Sequence, residues 1–181
     1  AAVEQQRVPV ERGPRILSLS RLSPEKGIDV LLDAFAQLRA DYPQAHLEIA
    51  GSGDLASELR AQAQRLTLGD SVTFSDFVNP IEAMGRSDMI VQLSVWENCS
   101  YTLLDAKAAG LKTVATAVGG NPEILGADEL VDRQSATLTQ DVLQAMRAQL
   151  QKGEAEPFTW SSNEQMAAQT TEIYARTLEK K

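Results

Sequence analysis

Residues 89–105 read MIVQLSVWENCSYTLLD, and this stretch decides the fold. Met89 to Leu93 is a near-continuous apolar run of strand length, the pattern of a strand buried on both faces. From Thr102 to Ala109 the chain takes up a helical pattern that stops at Gly110. A buried strand that passes through a short turn into a helix is the repeating unit of a parallel sheet with helical crossovers.

The same unit recurs on both sides. Upstream, Arg15 to Ser20 (RILSLS) has strand length, and Ile28, Leu31, Leu32, Phe35 and Leu38 then share one helical face. His46 to Ala50 (HLEIA) is a second strand, stopped by Gly51-Ser52-Gly53. Asp54 is placed to cap the next helix, whose apolar face is Leu55, Leu59, Ala63 and Leu66. Val72 to Phe74 and Ile81 to Met84 form a short strand and a short helix. Downstream, Thr113 to Thr116 is a strand closed by Gly119-Gly120, and Glu129 to Val131 a final short strand. Leu138, Val142, Met146 and Leu150 mark a helix, and Met166, Ile173, Tyr174 and Leu178 lie on one side of a last one. Residues 1–13 are polar and read as a linker or tail. About six strands alternating with helices make an α/β domain with a parallel sheet covered on both faces. Such sheets bind ligands beyond the carboxyl ends of their strands, near the switch point in strand order.

Composition narrows the function classes. The 181 residues are enough for one domain with its own core. The net charge of -8 argues against a general nucleic-acid binder, which needs a basic face, but two or three local cations suffice for a small anion. Cys99 is the single cysteine, so the chain forms no internal disulfide, which fits a reducing compartment. The apolar runs are too short to span a bilayer, and no signal peptide is evident. The expected location is therefore cytoplasmic.

Four strand-end loops carry chemistry. The first, Arg21-Leu22-Ser23-Pro24-Glu25-Lys26-Gly27, places two cations near a helix start, where they suit a diphosphate. A surface turn with two solvated charges is the competing reading. The second, Gly51-Ser52-Gly53, lets a ligand approach the backbone, or is a plain tight turn. The third, Val95 to Asp105, has Glu97 before the turn, amides of Ser100, Tyr101 and Thr102 at the helix start, and Asp105 one turn inside. Two carboxylates beside an anion site make sense if the ligand also carries hydroxyls, because carboxylates accept from them strongly. A loop acid and a dipole-complementing helix acid are the plainer alternative. The fourth, Val118-Gly119-Gly120-Asn121-Pro122-Glu123, either presses backbone against a sugar or serves as a structural turn. His46, the only histidine, sits on a strand and suits neither a metal site nor a base. Cys99 has no histidine near in sequence to activate it. No Asp-x-Asp occurs, so no metal or other cofactor is expected.

Taken together, these loops resemble the C-terminal domain of retaining GT-B glycosyltransferases of the glycosyltransferase family four type. The match runs from Arg15 to about Tyr174. It rests on Arg21-Leu22, then Lys26-Gly27; on Gly51 and Gly53 at a strand end; on Glu97 as the first acid of a pair spaced by seven residues; and on Gly119, Gly120 and Glu123. The resemblance implies a Rossmann-like three-layer domain, one half of a GT-B fold, that binds a nucleotide-diphosphate sugar. Catalytic roles would fall to Arg21, Lys26 and Glu97. Arg21 and Lys26, with the amides of Tyr101 and Thr102, would hold the diphosphate. Glu97, Asn98, Cys99 and Ser100 would meet the sugar, Asp105 the ribose, and Phe77 and Val78 the base.

It further implies metal-independent transfer of a hexosyl group, with an N-terminal acceptor-binding domain supplied in cis or in trans. Residues 14–158 would form the donor domain, and residues 159–181 a helix crossing back to that other domain. Membrane contact is not indicated by this segment; any at the inner face of a membrane would come through the other half. Two departures stand out: the second acid is Asp105 rather than Glu, and the turn reads Asn-Cys-Ser-Tyr where many relatives have Pro-Phe-Gly. The alternatives are a non-catalytic nucleotide-sugar-binding regulatory module and an unrelated parallel α/β domain such as a reductase. A reductase calls for a fuller glycine fingerprint and a ribose-binding acid after the second strand, and neither is evident.

Overall fold

A computed structural model of the chain describes residues 12–153, 158–160 and 162–178. Residues 1–11, most of the expected tail, lie outside the described residues. Among the described residues six strands are formed: β1 (Arg15–Leu19), β2 (His46–Ala50), β3 (Val72–Ser75), β4 (Met89–Gln92), β5 (Lys112–Thr116) and β6 (Leu130–Val131). Seven α-helices alternate with or follow them: α1 (Ile28–Leu38), α2 (Ala56–Arg65), α3 (Pro80–Gly85), α4 (Tyr101–Ala108), α5 (Asn121–Ile124), α6 (Leu138–Gln151) and α7 (Asn163–Leu178).

All strand pairs are parallel, and the sheet order is β3-β2-β1-β4-β5-β6. The apolar runs read from the sequence are buried because helices cover both faces. Ile16, Leu47, Ile49 and Val91 pack beneath α1, α2 and α6, around a fully buried Phe35. Residues on the other face of the sheet, Leu17, Ile90 and Ala115, pack against α3, α4 and α5. Burying a side chain such as Phe35 contributes about 1.5–3 kcal/mol.

The chain winds outward from β1 through β2 and β3, then returns to β4 and winds the other way. The switch in winding therefore falls above the carboxyl ends of the two central strands, where sheets of this kind hold their ligand crevice. At the seam itself β1 and β4 share two matched residue pairs, Ile16 with Met89 and Leu17 with Ile90.

One local expectation needs correction. Asp54 does not cap α2: the helix begins at Ala56 with Leu55 at its N-cap position and no side-chain cap. The backbone does this work instead, with Leu55 N donating to Leu22 O at 3.0 Å and Ala56 N to Gly53 O at 3.1 Å. Ser23-Pro24-Glu25 does not lead straight into α1. It forms a single 3-10 turn, Pro24–Lys26, and Gly27 at φ 61° then resets the chain for a helix starting at Ile28.

Candidate functional site

Lys26 and Glu97 meet at the mouth of the crevice. The 3-10 turn after β1 ends on Lys26, and the loop after β4 carries Ser94 and Glu97. Lys26 Nζ lies 2.7 Å from Glu97 Oε1 and donates to Ser94 Oγ at 3.2 Å. Ser94 Oγ donates to the same Glu97 oxygen at 2.6 Å. The two loops are joined by backbone as well: Val95 N donates to Glu25 O at 2.8 Å. Gly27 permits this approach, because a Cβ there would stand 2.8 Å from Leu93 O. Lys26 and Glu97 are each less than one-fifth exposed. Burial works to raise the Glu97 pKa, but hydrogen bonds from Lys26 and Ser94 and the Lys26 charge outweigh it, and the carboxyl titrates below its ordinary value.

The start of α4 is set by two buried polar residues. Ser100 caps the helix by accepting from Leu103 N at 3.3 Å, and its own hydroxyl donates to Gln92 Oε1 at 2.8 Å. Gln92 is the one polar residue of β4 and has no exposed face. The cap places the first helical residue at Tyr101, one earlier than the apolar pattern implies. Tyr101 and Thr102 amides have no protein partner among the described residues, as expected in a first turn, so both remain open to a ligand. Asn98 and Cys99 are exposed in the turn, whereas Ser100 is buried with its hydroxyl engaged in the cap. Asp105 is exposed on α4, beyond its first turn, and its carboxylate has no hydrogen-bond or ionic partner among the described residues.

Gly119 and Gly120 sit behind the Glu97 loop. A Cβ on Gly119, whose φ is 53°, would fall 1.5 Å from Glu97 O, and Gly120 N donates to Asn98 O at 3.0 Å. The Gly-Gly turn thus bears directly on the backbone of Glu97 and Asn98. Thr116 Oγ1 braces the same loop by donating to Ser94 O at 2.6 Å. The fully buried Asn121 donates in turn to Thr116 O at 2.9 Å. The sequence reading gave Gln92, Ser94 and Thr116 no part in the site and took Asn121 only as part of the Gly-Gly turn. The available signal was polar residues within or directly after otherwise apolar strands.

The other expected residues gather on the β2 and β3 side. Arg21, Gly51, Ser52, Asp76, Phe77 and Val78 line a cavity of about 300 Å³. Phe77 is almost wholly exposed at its rim. Gly51 and Gly53 pack against the backbone of Ser20 and Leu22. Arg21 reaches Glu25 Oε1 at 3.0 Å, and a hydrogen bond from Ser23, foremost, holds the Glu25 carboxyl below its ordinary pKa. Arg21 and Lys26 therefore each carry their own acid partner. Trp96 and Tyr101 are both exposed near the crevice. Among the described residues no three His, Cys, Asp or Glu side chains are grouped to hold a metal ion, and no helix is long and apolar enough to cross a membrane.

A doubly wound parallel sheet of this order, with charged loops at its switch point, defines a Rossmann-like α/β domain of the kind found in GT-B glycosyltransferases. The chain belongs to the group 1 glycosyl transferases, whose family model matches residues 2–170. Among its relatives is the alpha-monoglucosyldiacylglycerol synthase of Streptococcus pneumoniae, 36% identical over 110 residues, which cover 59% of this chain and 24% of that protein. The mannosylfructose-phosphate synthase of Agrobacterium fabrum is 32% identical over 119 residues, covering 60% and 26% respectively. The chain thus matches about a quarter of the length of these relatives. Among solved structures, Anabaena HepE in complex with UDP-glucose superposes with a TM-score of 0.68 at 26% identity, over 77% of this chain and 39% of that one. The C-terminal domain of a group 1 glycosyl transferase from Francisella tularensis shares the fold, with a TM-score of 0.68 at 23% identity, over 78% and 77%.

Proposed function

We propose that this chain is the donor-binding half of a retaining glycosyltransferase of the family four type, taking a nucleoside diphosphate sugar without a metal ion. The observation that carries this reading is the Lys26–Glu97 pair at the switch point. It sets a cation for phosphate and an acceptor for sugar hydroxyls side by side, next to the open amides of Tyr101 and Thr102. A bound donor would replace the internal pair. Lys26 would turn to the diphosphate and Glu97 to the sugar. As the anomeric C–O bond breaks, negative charge collects on the distal phosphate, where Lys26, Arg21 and the helix amides stabilise it. The acceptor oxygen bonds to the anomeric carbon on the face that the diphosphate leaves, and its proton passes to the departing phosphate oxygen.

The remaining roles follow position. The cavity at Arg21, Phe77 and Val78 has room for the base, and Asp105 faces solvent where a ribose hydroxyl can reach it. Asn98 and Cys99 lie on the sugar side. Ser100 contributes by holding the helix start. The acceptor would be bound by an N-terminal domain in cis or in trans, against which α7 would dock. Single-cysteine usage fits a reducing compartment, and we place the reaction in the cytoplasm. The test is calorimetric titration with UDP-, GDP- and ADP-sugars, without metal and then with EDTA. Binding of at least one donor in both conditions is the expected result. A folded sample that binds none of them sinks the proposal.

A further inference from the structure

Ser94 stands just beyond β4, where the buried strand becomes the Glu97 loop, and it is fully buried. Packing does not ask for a serine there, since Leu93 before it is buried as well and is apolar. Burying a hydroxyl costs stability unless its hydrogen bonds are made. Here the site makes them. The single proton of Ser94 Oγ is donated to Glu97 Oε1 at 2.6 Å, and a lone pair accepts from Lys26 Nζ at 3.2 Å. The Ser94 carbonyl accepts from Thr116 Oγ1 at 2.6 Å, and Asn121 holds the Thr116 carbonyl in turn. Thr116 and Asn121 are both fully buried. The hydroxyl is therefore fixed to the sheet, whereas Lys26 carries its charge on a flexible four-carbon stem.

The two oxygens of Glu97 are used unequally. Lys26 and Ser94 both meet Oε1, and neither bonds Oε2. Gln92 acts on the same carboxyl more weakly. Once Lys26 turned to a diphosphate, Glu97 would be a carboxylate less than one-fifth exposed and without its cation. The bond from Ser94 does not involve Lys26, so it would remain. One charge-assisted bond from a fixed hydroxyl can then keep the carboxylate in place.

We propose that Ser94 is a positioning residue for the donor sugar: it holds Glu97 Oε1 while Lys26 is engaged with phosphate, and so leaves Oε2 to accept from a sugar hydroxyl. The inference rests on the donor-binding reading of the crevice and separates two duties within it. Lys26 reads the diphosphate. Ser94, acting through Glu97, governs how the sugar is read. Loss of the Ser94 hydroxyl therefore weakens ligands that carry a sugar and spares those that end at the diphosphate.

Ser94→Ala removes one oxygen and adds no atom, which makes it the direct variant. Calorimetry without metal would compare UDP-glucose with UDP, GDP-mannose with GDP and ADP-glucose with ADP. For whichever pair the unaltered chain binds, Ser94→Ala should weaken the sugar nucleotide about tenfold or more and leave the nucleoside diphosphate within about twofold. Retained binding of the nucleoside diphosphate shows in the same experiment that the site is folded. Thr116→Val removes the brace on the Ser94 carbonyl and should shift the ratio in the same direction by less; it carries the test alone where Ser94→Ala does not fold. An unaltered chain that binds none of these ligands overturns the donor reading, and the role of Ser94 with it. An unaltered chain that binds a pair, with a ratio that neither variant changes or with equal losses for both ligands, leaves the donor reading standing and overturns the role of Ser94.

Discussion

At the scale of single residues, Lys26 and Glu97 hold the candidate site in a closed-circuit state. Each satisfies the other, so neither pays for being partly buried alone. Replacing Arg21 and Lys26 together with alanine should weaken binding of a nucleoside diphosphate sugar about ten- to a hundredfold, while affinity for the bare nucleoside barely changes; calorimetry with both ligands checks this. Equal losses would mean that these side chains do not read the diphosphate. The pair also has a pH signature. Glu97 titrates below its ordinary value of 4.5 in the folded chain, so its contribution to stability is complete above that value and is lost as pH falls through the folded pKa. In urea unfolding, Glu97→Gln should therefore be less stable than the unaltered chain at neutral pH, and the gap should close in the acid range. A gap independent of pH would show that the charge of Glu97 is not what stabilises it. Lys26 and Glu97 were each legible in the sequence as candidates for the site. Their pairing was not, because they are 71 positions apart and meet through the order of the strands.

At the scale of elements, the strand-to-loop-to-helix unit that decides the fold also builds the site, and it does so with buried polar groups. Ser100 and Gln92 set where α4 begins; Gly119 sets where the Glu97 loop can lie. Gly119→Ala puts a methyl group against Glu97 O at a positive φ, so a cost of about 2 kcal/mol or more is expected in chemical denaturation, together with weaker donor binding. Stability unchanged by this substitution would mean the loop moves freely away from the turn. The strand and helix positions were legible from apolar periodicity to within a residue or so. Asp54 shows where that reading stops. A side chain of the right type stood before a helix, yet backbone carbonyls of Leu22 and Gly53 had already taken the helix-start amides. Such long-range satisfaction leaves no local pattern. The Gly119-Gly120 turn was likewise visible, but its bearing on Glu97 depends on the neighbouring strand.

At the scale of the whole molecule, the alternation of strands and helices foretold a parallel sheet covered on both faces, and the structure has one. Its strand order was not deducible from alternation, since nothing local in β4 states that it lies beside β1. Beyond the sheet, α7 stands apart, with its described side chains from 164 to 177 all exposed and with Met166, Ile173 and Tyr174 among them. Removing residues 162–181 from the chain should leave its thermal midpoint essentially unchanged, whereas a clear drop would show that α7 contributes to this domain's own stability. The seam between β1 and β4 carries a broader consequence. Lys26 belongs to the half of the sheet that winds one way, and Glu97 to the half that winds the other, while two matched residue pairs join the halves between them. A ligand gripped by both works as a clasp across a short hinge line. Amide protons of Ile16, Leu17 and Ile90, deep beneath the crevice and touching nothing in it, would then exchange with solvent more slowly whenever the clasp is shut.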